Sequence, residues 1–166
     1  NTLRGVYGTD VLLATANSFT GSVLKADYTP KMADSMIMPN GLMSRQRTMT
    51  GAELKETVRA YVEGCEGGFV PFNSGSLPIV SGIAVEVKEA SGSYTLTGIT
   101  RNGQPLRDDD TVTVTCLAAE KQMDVLLASE SGVSAGEDTW VKNTWRDHVS
   151  GGGAALAEPE NYMTLR

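Results

Sequence analysis

Histidine is almost missing from this chain: His148 stands alone among 166 residues. A dinuclear hydrolytic metal centre draws several His, Asp and Asn side chains onto two ions, and one histidine cannot build it. Cysteine is scarce too. Cys65 and Cys116 lie too far apart for a metal-ligand spacing, and nothing in their positions supports a disulfide, so unpaired, half-buried thiols are expected. A cationic surplus is lacking: 14 Lys and Arg stand against 20 Asp and Glu, a formal net charge of −6. That balance excludes a nucleic-acid backbone as partner, since polyphosphate strands require a basic stripe. No apolar run reaches the length of a membrane span, and no signal peptide is visible. The glycine run Gly151-Gly152-Gly153 lacks the Lys-Ser or Lys-Thr that completes a phosphate loop.

Hydrophobic residues make up 40% of the chain and charged residues 20%, which places it among globular proteins and supports one domain with a core. The chain opens at Asn1 without Met, so residues 1–166 are expected to be a single domain cut from a longer protein. Asp10 to Ala16 reads as a short buried strand. Thr29-Pro30 begins a helix that Pro39-Asn40-Gly41 stops. Leu42 to Met49 reads as a strand of poor alternation, because Arg45 and Arg47 share a face with Met43 and Met49. Thr50 and Glu53 stand at capping-box spacing ahead of a helix to Val62, whose Leu54, Val58, Tyr61 and Val62 form one face. Ile79 to Val87 reads as one strand, Ile83, Val85 and Val87 alternating with Ala84, Glu86 and Lys88. Tyr94 to Thr100 returns as a second strand, and Asn102-Gly103 signals a type I′ hairpin. Val112, Val114 and Cys116 mark another strand. Ala118 to Ala128 is predicted helical, Trp140 to Val149 part helix, and Tyr162 to Leu165 a last strand. Helices and strands mix without strict alternation, so the class is α+β, a mixed sheet with packed helices.

Three segments in order carry a resemblance. They are Thr50-Gly51-Ala52-Glu53-Leu54, then Ser81-Gly82 within a strand, then the Asn102-Gly103 turn. Together they resemble the C-terminal domain of the 5'-nucleotidase family, a group that includes UDP-sugar hydrolases and 2',3'-cyclic phosphodiesterases. The resemblance covers about Asp10 to Arg166. It implies a substrate-recognition domain that works beside an N-terminal metallophosphatase domain holding two divalent metal ions, outside this chain. It also implies an extracytoplasmic location and a nucleotide or related small phosphate ester as ligand. The family's ligand motifs match poorly. Asn17 is followed by Ser18-Phe19-Thr20-Gly21, without the expected Arg. Pro39-Asn40-Gly41 lacks the stacking aromatic. Asp124 stands near the place of a ribose-binding Asp but at the wrong spacing.

Asn17, Phe19 and Asn40 are the candidate substrate-binding residues, each in a loop after an apolar element. Ordinary turn chemistry is the competing reading for the two Asn, and a core plug that for Phe19. No catalytic and no metal-binding residue is assigned. His148 reads as a satisfied surface or half-buried histidine beside Trp145, and Asp108 to Asp110 as a solvated acidic rim. Two functions remain. One is substrate recognition for a 5'-nucleotidase-like metallophosphoesterase that hydrolyses nucleotide phosphate esters. The other is a non-catalytic module for docking, oligomerisation or spacing, in which methionines between Met32 and Met49 line a soft contact surface or simply fill the core.

Overall fold

The computed structural model describes residues 2–14, 42–63, 79–119, 139–151 and 163–165. Their elements run α1 (Thr2–Tyr7), β1 (Val11–Ala14), β2 (Leu42–Thr50), α2 (Gly51–Glu63), β3 (Ile79–Ser81), β4 (Ala84–Ala90), β5 (Ser93–Arg101), β6 (Gln104–Pro105), β7 (Thr111–Ala119), β8 (Thr139–Trp140), α3 (Val141–Ser150) and β9 (Met163–Leu165). Five strands form one sheet in the order β3-β1-β7-β2-β8, and four form a second in the order β6-β5-β4-β9. β1 runs parallel to β7 and antiparallel to β3, while β2 pairs antiparallel with β7 from Leu42–Ala119 to Thr50–Thr111. The result is the α+β arrangement expected.

The main core gathers Leu54, Val58, Tyr61 and Val62 of α2 with Val11, Leu13, Met49, Val112 and Val114 of the first sheet and Val85, Val87 and Ile99 of the second. Each such side chain, fully buried, contributes about 1.5–3 kcal/mol of transfer free energy. A second cluster lies on the other face of the first sheet, where Leu12, Ala14, Leu42 and Leu117 meet Leu3 of α1 and Val141 and Trp145 of α3. β1 is therefore covered on both faces, which is why Val11-Leu12-Leu13-Ala14 is apolar without alternation.

Most predicted elements are present, with three corrections. Ile79 to Val87 is two strands in two different sheets. Gly82 takes φ +89°, and a Cβ there would lie 2.0 Å from the Asp10 carbonyl oxygen, so only glycine lets the chain leave β3 and cross to β4. The alternation of Ile83, Val85 and Val87 survives because all three reach the same core. Second, Ala118 and Ala119 do not start a helix; they extend β7 and pair with Met43 and Leu42. Residues 120–128 of that prediction lie outside the described residues, as do the predicted helix after Thr29 and Cys65. Third, α1 at the N-terminus carries no strong sequence signal and is held by packing, with Leu3 buried and the Gln46 amide donating to the Tyr7 carbonyl at 3.1 Å. The Asn102-Gly103 hairpin has both central residues at positive φ, +52° and +74°, as a type I′ turn requires.

Candidate functional site

The capped start of α2 is scaffold. The Thr50 amide donates to the Glu53 carboxylate at 2.8 Å, and the Glu53 amide donates back to the Thr50 hydroxyl at 3.2 Å, a closed capping box. The next two amides, of Gly51 and Ala52, donate to the carbonyls of Asp110 and Asp108 at 2.7 and 3.1 Å. The acidic Asp108-Asp109-Asp110 run is thus more than a solvated rim: its backbone caps α2, and the Asp110 carboxylate accepts the Arg107 amide at 2.9 Å. That amide is the main reason the Asp110 carboxyl is held below its usual value, against the opposing effect of burial.

Chemistry is better sought at one end of the five-stranded sheet. β1 and β7 run parallel and finish at Ala14 and Ala119, and β2 enters antiparallel at Leu42, directly opposite Ala119. The segments that carry Asn17 and Phe19, Asn40, and Asp124 therefore leave or enter the sheet at this one end. The carboxyl ends of parallel strands are where mixed α/β sheets commonly receive ligands. Asn17, Phe19, Asn40 and Asp124 themselves lie outside the described residues.

Sequence reasoning noticed Arg45 and Arg47 only as a fault in the alternation of β2. Both stand on the face of β2 that carries Met43 and Met49 into the main core, and Arg47 is 4% exposed while Arg45 is partly buried. Arg45 lies opposite Cys116 and Arg47 opposite Val114 across the β2–β7 ladder. Both guanidiniums have interactions within the chain. The Cys116 thiol beside them is free and completely buried, not half-buried as expected. Burial pushes it up to about 12, and the Tyr61 hydroxyl, Arg47 and Arg45 only partly offset that. Tyr61 on α2 is likewise enclosed, and burial, then the neighbouring Cys116, pushes its phenol well above the usual value. Neither group is ionised near neutrality, so neither serves as a nucleophile or base.

At the opposite end of β1, Asp10 joins the two sheets. Its carboxylate accepts the Arg101 guanidinium at 2.6 Å, the Thr113 amide at 2.8 Å and the Thr113 hydroxyl at 2.9 Å. Arg4 donates to the Ser81 hydroxyl at 3.1 Å and to the Asp10 carbonyl at 3.4 Å. Burial acts to raise the Asp10 carboxyl, but the Thr113 hydrogen bonds and the charges of Arg101 and Arg4 together hold it below its usual value. A carboxylate so fully engaged is a clip, not a reacting group.

His148 is half-buried on α3, its ring 5.9 Å from that of Trp145, and its Nε2 has no hydrogen-bond partner. That nitrogen therefore lacks the partner expected of a satisfied histidine among the described residues. Among the described residues no group of three or more His, Cys, Asp or Glu is placed to hold a metal ion, and no helix is long and apolar enough to cross a membrane.

No protein-family model matches the sequence, and no curated protein does. Solved structures do match. The 5'-nucleotidase precursor of Thermus thermophilus superposes with a TM-score of 0.69 at 16% identity, covering 98% of this chain and 32% of that protein. The NAD nucleotidase of Haemophilus influenzae gives 0.68 at 15% identity over 99% of this chain and 32% of its own. A putative 5'-nucleotidase of Staphylococcus aureus, solved in complex with alpha-ketoglutarate, gives 0.70 at 15% identity over 99% of this chain and 34% of its own. The chain thus spans about a third of the length of each, and it has the fold of the C-terminal domain of the 5'-nucleotidases.

Proposed function

We propose that this chain is the substrate-recognition domain of a 5'-nucleotidase-like metallophosphoesterase acting on nucleotide phosphate esters. The observation that carries the reading is the likeness of fold, which extends over 98–99% of the chain to nucleotidases about three times as long. The parent's hydrolytic chemistry would then belong to an N-terminal metallophosphatase domain with two divalent metal ions, and the parent to an extracytoplasmic compartment. The chain itself would be non-catalytic, consistent with buried, protonated Cys116 and Tyr61 and a lone His148. Asn17, Phe19 and Asn40 would line the ligand site at the Ala14–Leu42–Ala119 end of the first sheet. The Staphylococcus protein is solved with a dicarboxylate, which favours a ligand of anionic character here as well.

The alternative, a docking or oligomerisation module, has less support. Met49 is 2% exposed and Met43 packs against the same core, so these two methionines do not form a surface. Calorimetric titration of the chain with AMP, adenosine and UDP-sugars tests the preferred reading. Binding at millimolar concentration or tighter is expected, and absence of heat with all three at millimolar concentration sinks it.

A further inference from the structure

We propose that an internal hydrated site joins α1 to α3 on the outer face of the first sheet, with ordered water held by the Trp145 Nε1–H, the His148 Nε2 and the Tyr7 hydroxyl. The inference is independent of the ligand reading above. It concerns the satellite cluster on the side of the sheet away from the main core.

Position is the first argument. Tyr7 Oη on α1 and Trp145 Nε1 and His148 Nε2 on α3 are buried polar atoms without a hydrogen-bond partner, and all three belong to this one layer. Trp145 is 8% exposed and packs with Leu3, Leu12 and Leu117, and the Tyr7 ring packs against the same cluster. The His148 ring lies 5.9 Å from the Trp145 ring, tilted by 30°. One cluster and one ring contact thus make the three side chains neighbours.

Surroundings are the second. Ser44 and Gln46 follow Leu42 on the face of β2 that meets this layer, and Thr115 stands opposite Gln46 on β7. Ser44 and Thr115 are buried, the Thr9 and Thr115 hydroxyls lie 2.9 Å apart, and the Gln46 amide donates to the Tyr7 carbonyl at 3.1 Å. The sheet face beside α1 is therefore polar while enclosed. Internal water settles in polar enclosures of this kind, where about two to four groups can hold it.

Chemistry is the third. An indole N–H only donates, a neutral imidazole nitrogen donates or accepts, and a phenol does both. Water, with two protons and two lone pairs, complements all three. A metal ion would find no ligand in the indole, and an anion none in an accepting nitrogen. Left unanswered, three such atoms would take a substantial part of a domain's small net stability. The helix α1 has most to gain: its six residues are too few to hold a helix alone, so the bridge adds to Leu3 and Gln46 in fixing it.

The test has two parts, both on the whole chain. The first is NMR transfer of magnetisation from water to the Trp145 indole N–H in the natural protein. The chain has two tryptophans, so Trp145→Phe identifies the signal, or Trp140→Phe by elimination if the former does not fold. A cross-peak is expected, with the sign of a water that stays bound while the protein tumbles. The second is the thermal midpoint of Tyr7→Phe, which deletes only the hydroxyl. A hydroxyl held by water stabilises, and its loss should lower the midpoint by about 2–4 °C, whereas removing a dry, unpartnered hydroxyl should raise it. A cross-peak together with a lowered midpoint supports the inference. Absence of the cross-peak overturns it whatever the midpoint does. A cross-peak with an unchanged or raised midpoint overturns it too, because the water then does not reach α1.

Discussion

Gly51 and Arg107 are packed backbone to backbone: a Cβ on Gly51 would lie 1.9 Å from the Arg107 carbonyl oxygen. The Thr50-Gly51 pair that opens α2 therefore combines two demands. Thr50 caps the helix locally, and Gly51 lets the β6–β7 connection close over its first turn.

Gly51→Ala tests the second demand. Alanine is the better helix former by about 1 kcal/mol, so propensity alone predicts a more stable protein. Steric conflict with a backbone carbonyl, which cannot swing away as a side chain would, predicts the reverse. We expect a net loss of about 1–3 kcal/mol, the usual range for overpacking. A thermal midpoint equal to or above that of the natural sequence contradicts it.

Thr50→Ala tests the first demand. It removes the acceptor of the Glu53 amide while leaving the Gly51 contact intact. Loss of an N-cap costs about 0.5–2 kcal/mol, and urea unfolding should show it as a lower midpoint at unchanged slope. Thr50→Ser, which keeps the hydroxyl, should lose far less; equal losses in both would remove the cap as the cause.

The Asp10 clip makes stability depend on acid. Its folded-state pKa lies below the unfolded one, so the native state binds fewer protons. The stabilisation is complete above the unfolded carboxyl value of about 4 and declines as the pH falls through the depressed folded value. Asp10→Asn keeps the shape but loses the charge that draws Arg101 and an acceptor for Thr113. We expect about 1–2 kcal/mol lower stability at neutral pH, with the two proteins converging as the solution becomes strongly acidic. A difference that stays constant from neutral pH down to about pH 2 would refute the clip.

Cys116 should be inert in the folded protein. Its thiol is enclosed and protonated far above neutrality, so a thiol reagent meets neither a thiolate nor a path. In a Cys65→Ser background, labelling at mildly alkaline pH should follow global unfolding in urea and be negligible without it. Rapid labelling of the native protein would mean that the region between β7 and α2 opens readily.

Several of these features were legible before the fold was known. The capping box, the Asn102-Gly103 turn and the inward face of α2 depend on neighbours close along the chain, and a linear reading recovers such neighbours. The alternation of Ile83, Val85 and Val87 was legible too, but the break before it was not, because the need for Gly82 comes from Asp10, which is distant in sequence. The same limit hid two charges on a core-facing strand. Arg45 and Arg47 spoiled a simple pattern, and only the β2–β7 register and the placement of α2 revealed that the spoiled face is the buried one. The expected helix at Ala118 failed for a related reason: pairing with Leu42 and Met43 outweighed alanine's helical preference.

By itself the sequence determined local geometry: where α2 starts, where the hairpins turn, and which stripe of each element is apolar. Tertiary structure alone decided that Val11 to Ala14 is covered on both faces, that two glycines are held by distant carbonyls, that Asp10 ties one sheet to the other, and that Arg47 sits inside. The division follows from range. Caps, turns and amphipathic stripes arise from residues close along the chain, whereas burial, close backbone approach and charge in a core arise from residues that only folding brings together.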